Sequence, residues 1–219
     1  MLKAIAFDLD GTLVDSVIDL ANAANVVRVK LGKPELVSER VRQFVGDGVA
    51  QLLQRSLTDD MNGQLEPATL ELALETFHAY YGDHLAENTR PYAGVALGLQ
   101  RLQQLQVPMA IVTNKPEHHT HALLAALQLD RYFKAVIGGD TLSQRKPNAA
   151  PLLEAAQRLE VDLNEILMVG DSPNDVLCAR AAGAKVWVVD YGYADAATLN
   201  ADKVIHHLGE IADGFVFTA

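Results

Sequence analysis

The 219-residue chain has one cysteine, Cys178, so no disulfide can form within it. Its neighbours Val176, Leu177, Ala179, Ala181 and Ala182 predict a buried helix, and a lone thiol in that setting suits a reducing compartment. Long hydrophobic runs are missing too. Nothing approaches the ~18 consecutive apolar residues of a membrane span, and no cleavage site of small residues follows the first apolar run. The expectation is a soluble, cytoplasmic protein with no membrane partner. Basic residues are scarce: 18 Lys and Arg against 28 Asp and Glu give a formal charge of −10, which repels nucleic acid and anionic lipid. An anionic substrate then needs a local device, a metal ion or a few placed cations, to hold it against the overall field.

With 49% hydrophobic residues the chain can bury one substantial core and still build a smaller module. Short apolar runs at Ala4 to Phe7, Met109 to Val112, Ala135 to Ile137, Ile166 to Val169 and Val186 to Val189 predict buried strands. Between the later runs, Leu99, Leu102 and Leu105, then Leu123, Leu124 and Leu127, then Leu152, Leu153, Ala156 and Leu159 carry helical spacing. The alternation predicts an α/β fold, a Rossmann-like parallel sheet covered on both faces. About a hundred residues separate the first two strand runs, far more than one crossover helix needs. Helical periodicity fills the gap, with Leu20, Ala24 and Val27 on one face and Leu70, Leu74, Phe77 and Tyr81 on another. The expected organisation is a core domain of residues 1–16 and 88–219 with an inserted helical cap domain at 17–87.

Polar residues gather where the strand runs end: Asp8-Leu9-Asp10-Gly11-Thr12, Thr113-Asn114, Lys146-Pro147 and Gly170-Asp171-Ser172-Pro173-Asn174-Asp175. In parallel sheets the carboxyl ends of the strands share one crevice. Several carboxylates meeting there would force protons onto one another unless a cation neutralises them, and an all-oxygen set with few protein ligands describes Mg²⁺. A phosphate ester in the same crevice would meet Lys146, the Thr113 hydroxyl and backbone N–H groups after Asp8. One aspartate can attack phosphorus while the other protonates the leaving oxygen and later activates water.

Those four segments, in that order and with a helical insert after the first, resemble the signatures of the haloacid dehalogenase superfamily. The resemblance implies Asp8 as nucleophile, Asp10 as general acid/base, and Lys146 as a catalytic and substrate-binding cation. It implies Thr113 and Asn114 in the substrate-binding set, and Asp8, the Asp10 carbonyl and Asp171 as metal ligands. Asp175 would hold the metal through water or orient Lys146. The runs Gly138-Gly139-Asp140-Thr141-Leu142, Gln144-Arg145-Lys146-Pro147, Asn114-Lys115-Pro116 and Val45-Gly46-Asp47-Gly48 are similar to the phosphoglycolate phosphatases of that superfamily. The implied ester is 2-phosphoglycolate, a small-molecule partner, and the expected assembly is a monomer or homodimer.

Other readings remain open at this point. A sugar-phosphate phosphatase or phosphomutase shares the same core, and a phosphoacceptor signalling module or a binding module also gathers aspartates, a threonine and a lysine. Asp10 argues against a dehalogenase proper. Gly46 and Gly48 are either a loop-to-helix turn or backbone donors to the substrate. Arg42, Lys115 and Arg145 are candidate partners of a substrate carboxylate, weighed against plain surface charges. His118, His119 and His121 lack the i, i+4 pair of a helical metal site and read as a polar helix face.

Overall fold

The structure, a computed structural model, describes residues 2–216. The chain opens with β1 (Ala4–Phe7) and β2 (Val14–Asp15) and continues through α1 (Val17–Lys30), α2 (Ser38–Arg42), α3 (Val49–Thr58) and α4 (Pro67–His84). It then runs through β3 (Arg90–Pro91), α5 (Val95–Gln104), β4 (Met109–Val112), α6 (Glu117–Ala126), β5 (Ala135–Ile137) and α7 (Ala150–Arg158). β6 (Ile166–Gly170), α8 (Pro173–Ala182), β7 (Lys185–Val189), β8 (Lys203–Ile205) and α9 (Gly209–Val216) follow. Two compact units result, one of Met1–Asp15 with Pro91–Ala219 and the other of Ser16–Arg90.

The first unit holds a six-stranded sheet in the order β5-β4-β1-β6-β7-β8, with each neighbouring pair parallel. Four of the five apolar runs form strands that lose all their side chains to helices on both faces, every residue of β1, β4, β5 and β6 being buried, while β7 buries Val186, Val188 and Val189 and leaves Trp187 half-buried. β8 was not anticipated. It lies at the sheet edge with Lys203 and Val204 exposed, so only Ile205 carries a burial signal. The strand order reverses direction at β1, which places a crevice off its carboxyl end between β4 and β6.

Local chemistry sets the helix leading away from that crevice. Ser172 and Asp175 form a capping box, Pro173 occupies the first turn and Gly183 closes α8 in the left-handed conformation. Cys178 is fully buried on this helix, and burial raises its thiol to about 11.

In the second unit, α4 starts with Pro67 and buries Ala73, Phe77 and Tyr81, spaced four apart on one face. The Phe77 and Tyr81 rings stack 5.3 Å apart. No described helix is long and apolar enough to cross a membrane.

Asp19, buried near the start of α1, accepts from the Asn88 backbone and side-chain amides and from the Thr89 backbone N–H and hydroxyl, at 2.7–3.1 Å. It ties the first helix to the segment that leaves the unit. Asp19→Ala strands several of these donors, and each costs about 1–3 kcal/mol if left buried and unpaired. The thermal midpoint should fall by several degrees, with Asp19→Asn recovering part of the loss.

Candidate active site

Asp8 follows β1 directly, and its backbone N–H donates to the Val169 carbonyl at 2.9 Å, extending the β1–β6 pairing by one step. That bond sets the carboxylate at the mouth of the crevice, where it is almost wholly buried. Asp171 and Asp175 come from the end of β6 and the first turn of α8. One carboxylate oxygen from each of the three aspartates falls within 4.8 Å of the others. Lys146 stands among them, its ammonium 2.9 Å from Asp8 Oδ1, 2.7 Å from Asp175 Oδ1 and 2.7 Å from the Val112 carbonyl.

Asp175 is fully engaged by the protein. Its Oδ2 accepts from the Ser172 hydroxyl at 2.7 Å and from the Ser172 and Asp171 backbone amides, while Oδ1 takes Lys146. Asp171 is gripped from two sides, by the Thr12 hydroxyl on Oδ1 at 3.0 Å and the Tyr193 backbone N–H on Oδ2 at 2.7 Å. Its flanks admit no extra atom: a Cβ on Gly11 would lie 2.3 Å from Asp171 Oδ2, and one on Gly192 would lie 2.2 Å from Asp171 Cβ. Gly11 also has φ +88, which L side chains rarely adopt.

The electrostatics of the cluster are lopsided. Three carboxylates against one ammonium leave two negative charges when all are ionised. Burial, then Asp175 and Asp8, push Asp171 up to about 8. Burial also drives Asp8 to about 6, held back by Lys146 and pushed further by Asp175. For Lys146 burial works to lower the pKa, but the Asp175 and Asp8 charges overcome it and raise it. Asp8 Oδ1 is buried and out of hydrogen-bond alignment with any described donor, although Lys146 is near. A two-charge deficit, an undersupplied carboxylate oxygen and all-oxygen donors fit a hard divalent cation.

Asp10 lies apart from this cluster and pairs with Lys115, whose ammonium is 3.1 and 3.0 Å from its two oxygens. Lys115 is therefore buried in the site, not the surface charge that lysine commonly is. Its place just after β4, two residues from Thr113, was the available signal. Thr113 is buried, with its hydroxyl accepting from the Lys115 backbone, and Asn114 Nδ2 donates to the Lys146 carbonyl at 3.0 Å. Arg145 is exposed. On α6, His118 and His121, three residues apart, are exposed, whereas His119 is buried and so does not belong to that polar face.

Tyr193 and Gly192 were also missed. The run ending at Val189 obeys the same strand-end rule as the other four, and its loop Asp190-Tyr191-Gly192-Tyr193 reaches Asp171. Arg42, Gly46 and Gly48 belong to the helical unit, at the end of α2 and in the turn before α3. Gly48 caps α3 at φ 84 and ψ 169, a conformation essentially confined to glycine.

Residues 5–189 match the family model described as haloacid dehalogenase-like hydrolase. A phosphoglycolate phosphatase of Chromobacterium violaceum is 47% identical over 212 residues, covering 97% of this chain and 96% of that protein. One from Thiobacillus denitrificans is 40% identical over 214 residues, covering 96% and 94%. Among solved structures, a protein described as a predicted phosphoglycolate phosphatase from Haemophilus somnus 129PT matches with a TM-score of 0.91 at 31% identity, covering 98% of both chains.

Two measurements check the cation reading. Protons raised onto Asp8 and Asp171 stabilise the metal-free fold below the unfolded carboxylate pKa of 3.8, and that contribution is lost as pH rises through about 6 and about 8. The gain in thermal midpoint on adding Mg²⁺ should accordingly be larger above about pH 8 than below about pH 6. Gly192→Ala, which thrusts a methyl at Asp171, should weaken Mg²⁺ binding at least tenfold by calorimetry.

Proposed function

Because the chain belongs to the haloacid dehalogenase-like hydrolase family and is a phosphoric monoester hydrolase, we propose that it is a Mg²⁺-dependent phosphatase converting 2-phosphoglycolate to glycolate and phosphate. The reaction runs through an aspartyl-phosphate on Asp8. The observation that carries this reading is the buried Asp8 carboxylate at the crevice mouth, beside Lys146 and Asp171 and separate from the Asp10–Lys115 pair. Two carboxylates in two environments suit two roles.

In the first half-reaction an Asp8 oxygen attacks phosphorus as the bond to the glycolate oxygen breaks, and a proton on Asp10 passes to that departing oxygen. In the second, Asp10 takes a proton from water, the hydroxide oxygen bonds to phosphorus, and the Asp8–phosphorus bond breaks to release phosphate. Lys146 offsets charge on the phosphoryl oxygens, exchanging its Asp8 contact for one of them, while Asp175 keeps the ammonium in place. The Thr113 hydroxyl and backbone N–H groups after Asp8 supply further donors. A divalent cation held by Asp8, Asp171 and the Asp10 carbonyl supplies, when bound, neutralisation of the carboxylate cluster and of the phosphoryl group. A cytoplasmic setting accords with the lone, buried thiol of Cys178.

Phosphate release over a panel of small esters tests the substrate: phosphoglycolate should be preferred. Preference for larger sugar phosphates, or isomer formation without phosphate release, would remove that assignment. Asp8→Asn should abolish turnover on every ester, because an amide is a very poor nucleophile. Asp10→Asn should keep a stoichiometric burst of p-nitrophenol from p-nitrophenyl phosphate while losing about 100-fold or more on alkyl phosphates, the usual worth of a positioned general acid.

Arg42, Gly46 and Gly48 are the expected donors to the substrate carboxylate. Gly48→Val strains the α3 cap whatever the substrate, so Arg42→Ala is the cleaner test. It should lower kcat/KM for phosphoglycolate at least tenfold more than for p-nitrophenyl phosphate.

A further inference from the structure

Lys115 has no part in the chemistry set out above, yet it is among the most deeply buried charged side chains of the core unit. Its ammonium side chain is 3% exposed and meets both oxygens of Asp10, at 3.1 and 3.0 Å. The backbone that presents it is fastened on both sides. Its N–H donates to the Thr113 hydroxyl at 3.3 Å, and its carbonyl accepts from the Gly139 N–H at 2.8 Å. The second bond depends on glycine, since a Cβ at position 139 would lie 2.3 Å from the Asn114 carbonyl oxygen. A long, flexible, strongly hydrated side chain is costly to bury, so burial against one carboxylate needs a compensating contact of this quality.

Two-point contact does what a surface ion pair does not. A carboxylate turns freely about its last torsion, and a general acid works only when its protonated oxygen faces the leaving group. We propose that Lys115 is the positioning residue for Asp10: it retains one Asp10 oxygen throughout the cycle and so holds the other toward the substrate, for proton donation to the leaving oxygen and then proton removal from water. The proposal rests on the general acid/base role given to Asp10 above. Lys115 itself touches no reacting atom.

The test uses the full chain with Mg²⁺ and compares Lys115→Met, Lys115→Arg, Asp10→Asn and Lys115→Met/Asp10→Asn. The substrates are p-nitrophenyl phosphate and any alkyl phosphate the enzyme turns over, so the result does not hang on phosphoglycolate. Lys115→Met should cut kcat on the alkyl phosphate at least 30-fold with KM changed less than about threefold, and should keep the p-nitrophenol burst rate within about threefold of the unsubstituted enzyme. Lys115→Arg should recover most of the loss. In the Asp10→Asn background, Lys115→Met should add less than about threefold, because its only route of action is gone.

Equal losses on both esters, a multiplicative effect in the double variant, or a raised KM at unchanged kcat would overturn the proposal. The last would instead make Lys115 a substrate ligand. If Lys115→Met does not fold, Lys115→Arg carries the same comparison: a smaller loss confined to the alkyl phosphate supports the positioning role, and a uniform loss contradicts it. Full turnover by Asp10→Asn on both esters would remove the acid/base assignment first, and that outcome is visible without any Lys115 variant.

Discussion

Three carboxylates, buried within reach of one another around a single ammonium, are the constraint on which the core unit depends. Left alone, such a group repels itself and loses its water, and burial together with the neighbouring carboxylates pushes Asp8 and Asp171 upward. The fold holds the group together by spending backbone and hydroxyl donors on the two aspartates after β6. Asp175 is saturated by Ser172, the Asp171 N–H and Lys146, and Asp171 is clamped by Thr12 and Tyr193. Asp8 is held by less: its buried Oδ1 meets the Lys146 ammonium at 2.9 Å without hydrogen-bond alignment.

Two lysines divide the positive charge between two tasks. Lys146 sits in the cluster and links Asp8, Asp175 and the Val112 carbonyl at the end of β4. Lys115, two residues after Thr113, pairs with Asp10 outside the cluster. Asp8 and Asp10 therefore face different lysines even though only Leu9 lies between them in the chain, as the two roles proposed for them require. Asn114 joins the two segments, donating to the Lys146 carbonyl from the loop that carries Lys115.

The parallel sheet was legible because a strand buried on both faces must be continuously apolar, and the five runs from Ala4 to Val189 have that character. The strand-end rule then led to Asp8, Asp10, Lys146, Asp171 and Asp175, which the fold brings to the carboxyl ends of β1 and β6 and the segment after β5. Edge strand β8 escaped because two of its three residues are exposed. Lys115 was named as a candidate partner of a substrate carboxylate, but its pairing with Asp10 escaped, because nothing in one sequence marks an ion pair between positions more than a hundred residues apart. Tyr193 escaped for a different reason. It acts through its backbone N–H, which any residue but proline would offer, so no side-chain pattern announces it.

The most direct measurement is the site of the covalent intermediate. Acid quenching during turnover, followed by borohydride reduction, converts an acyl-phosphate to an alcohol, so an aspartyl-phosphate leaves homoserine that peptide mass spectrometry can place. Homoserine should appear at position 8 when Mg²⁺ and a phosphate ester are both present, and not in excess chelator. Homoserine at Asp10, Asp171 or Asp175, or equal labelling of Asp8 with the cation removed, would contradict that expectation.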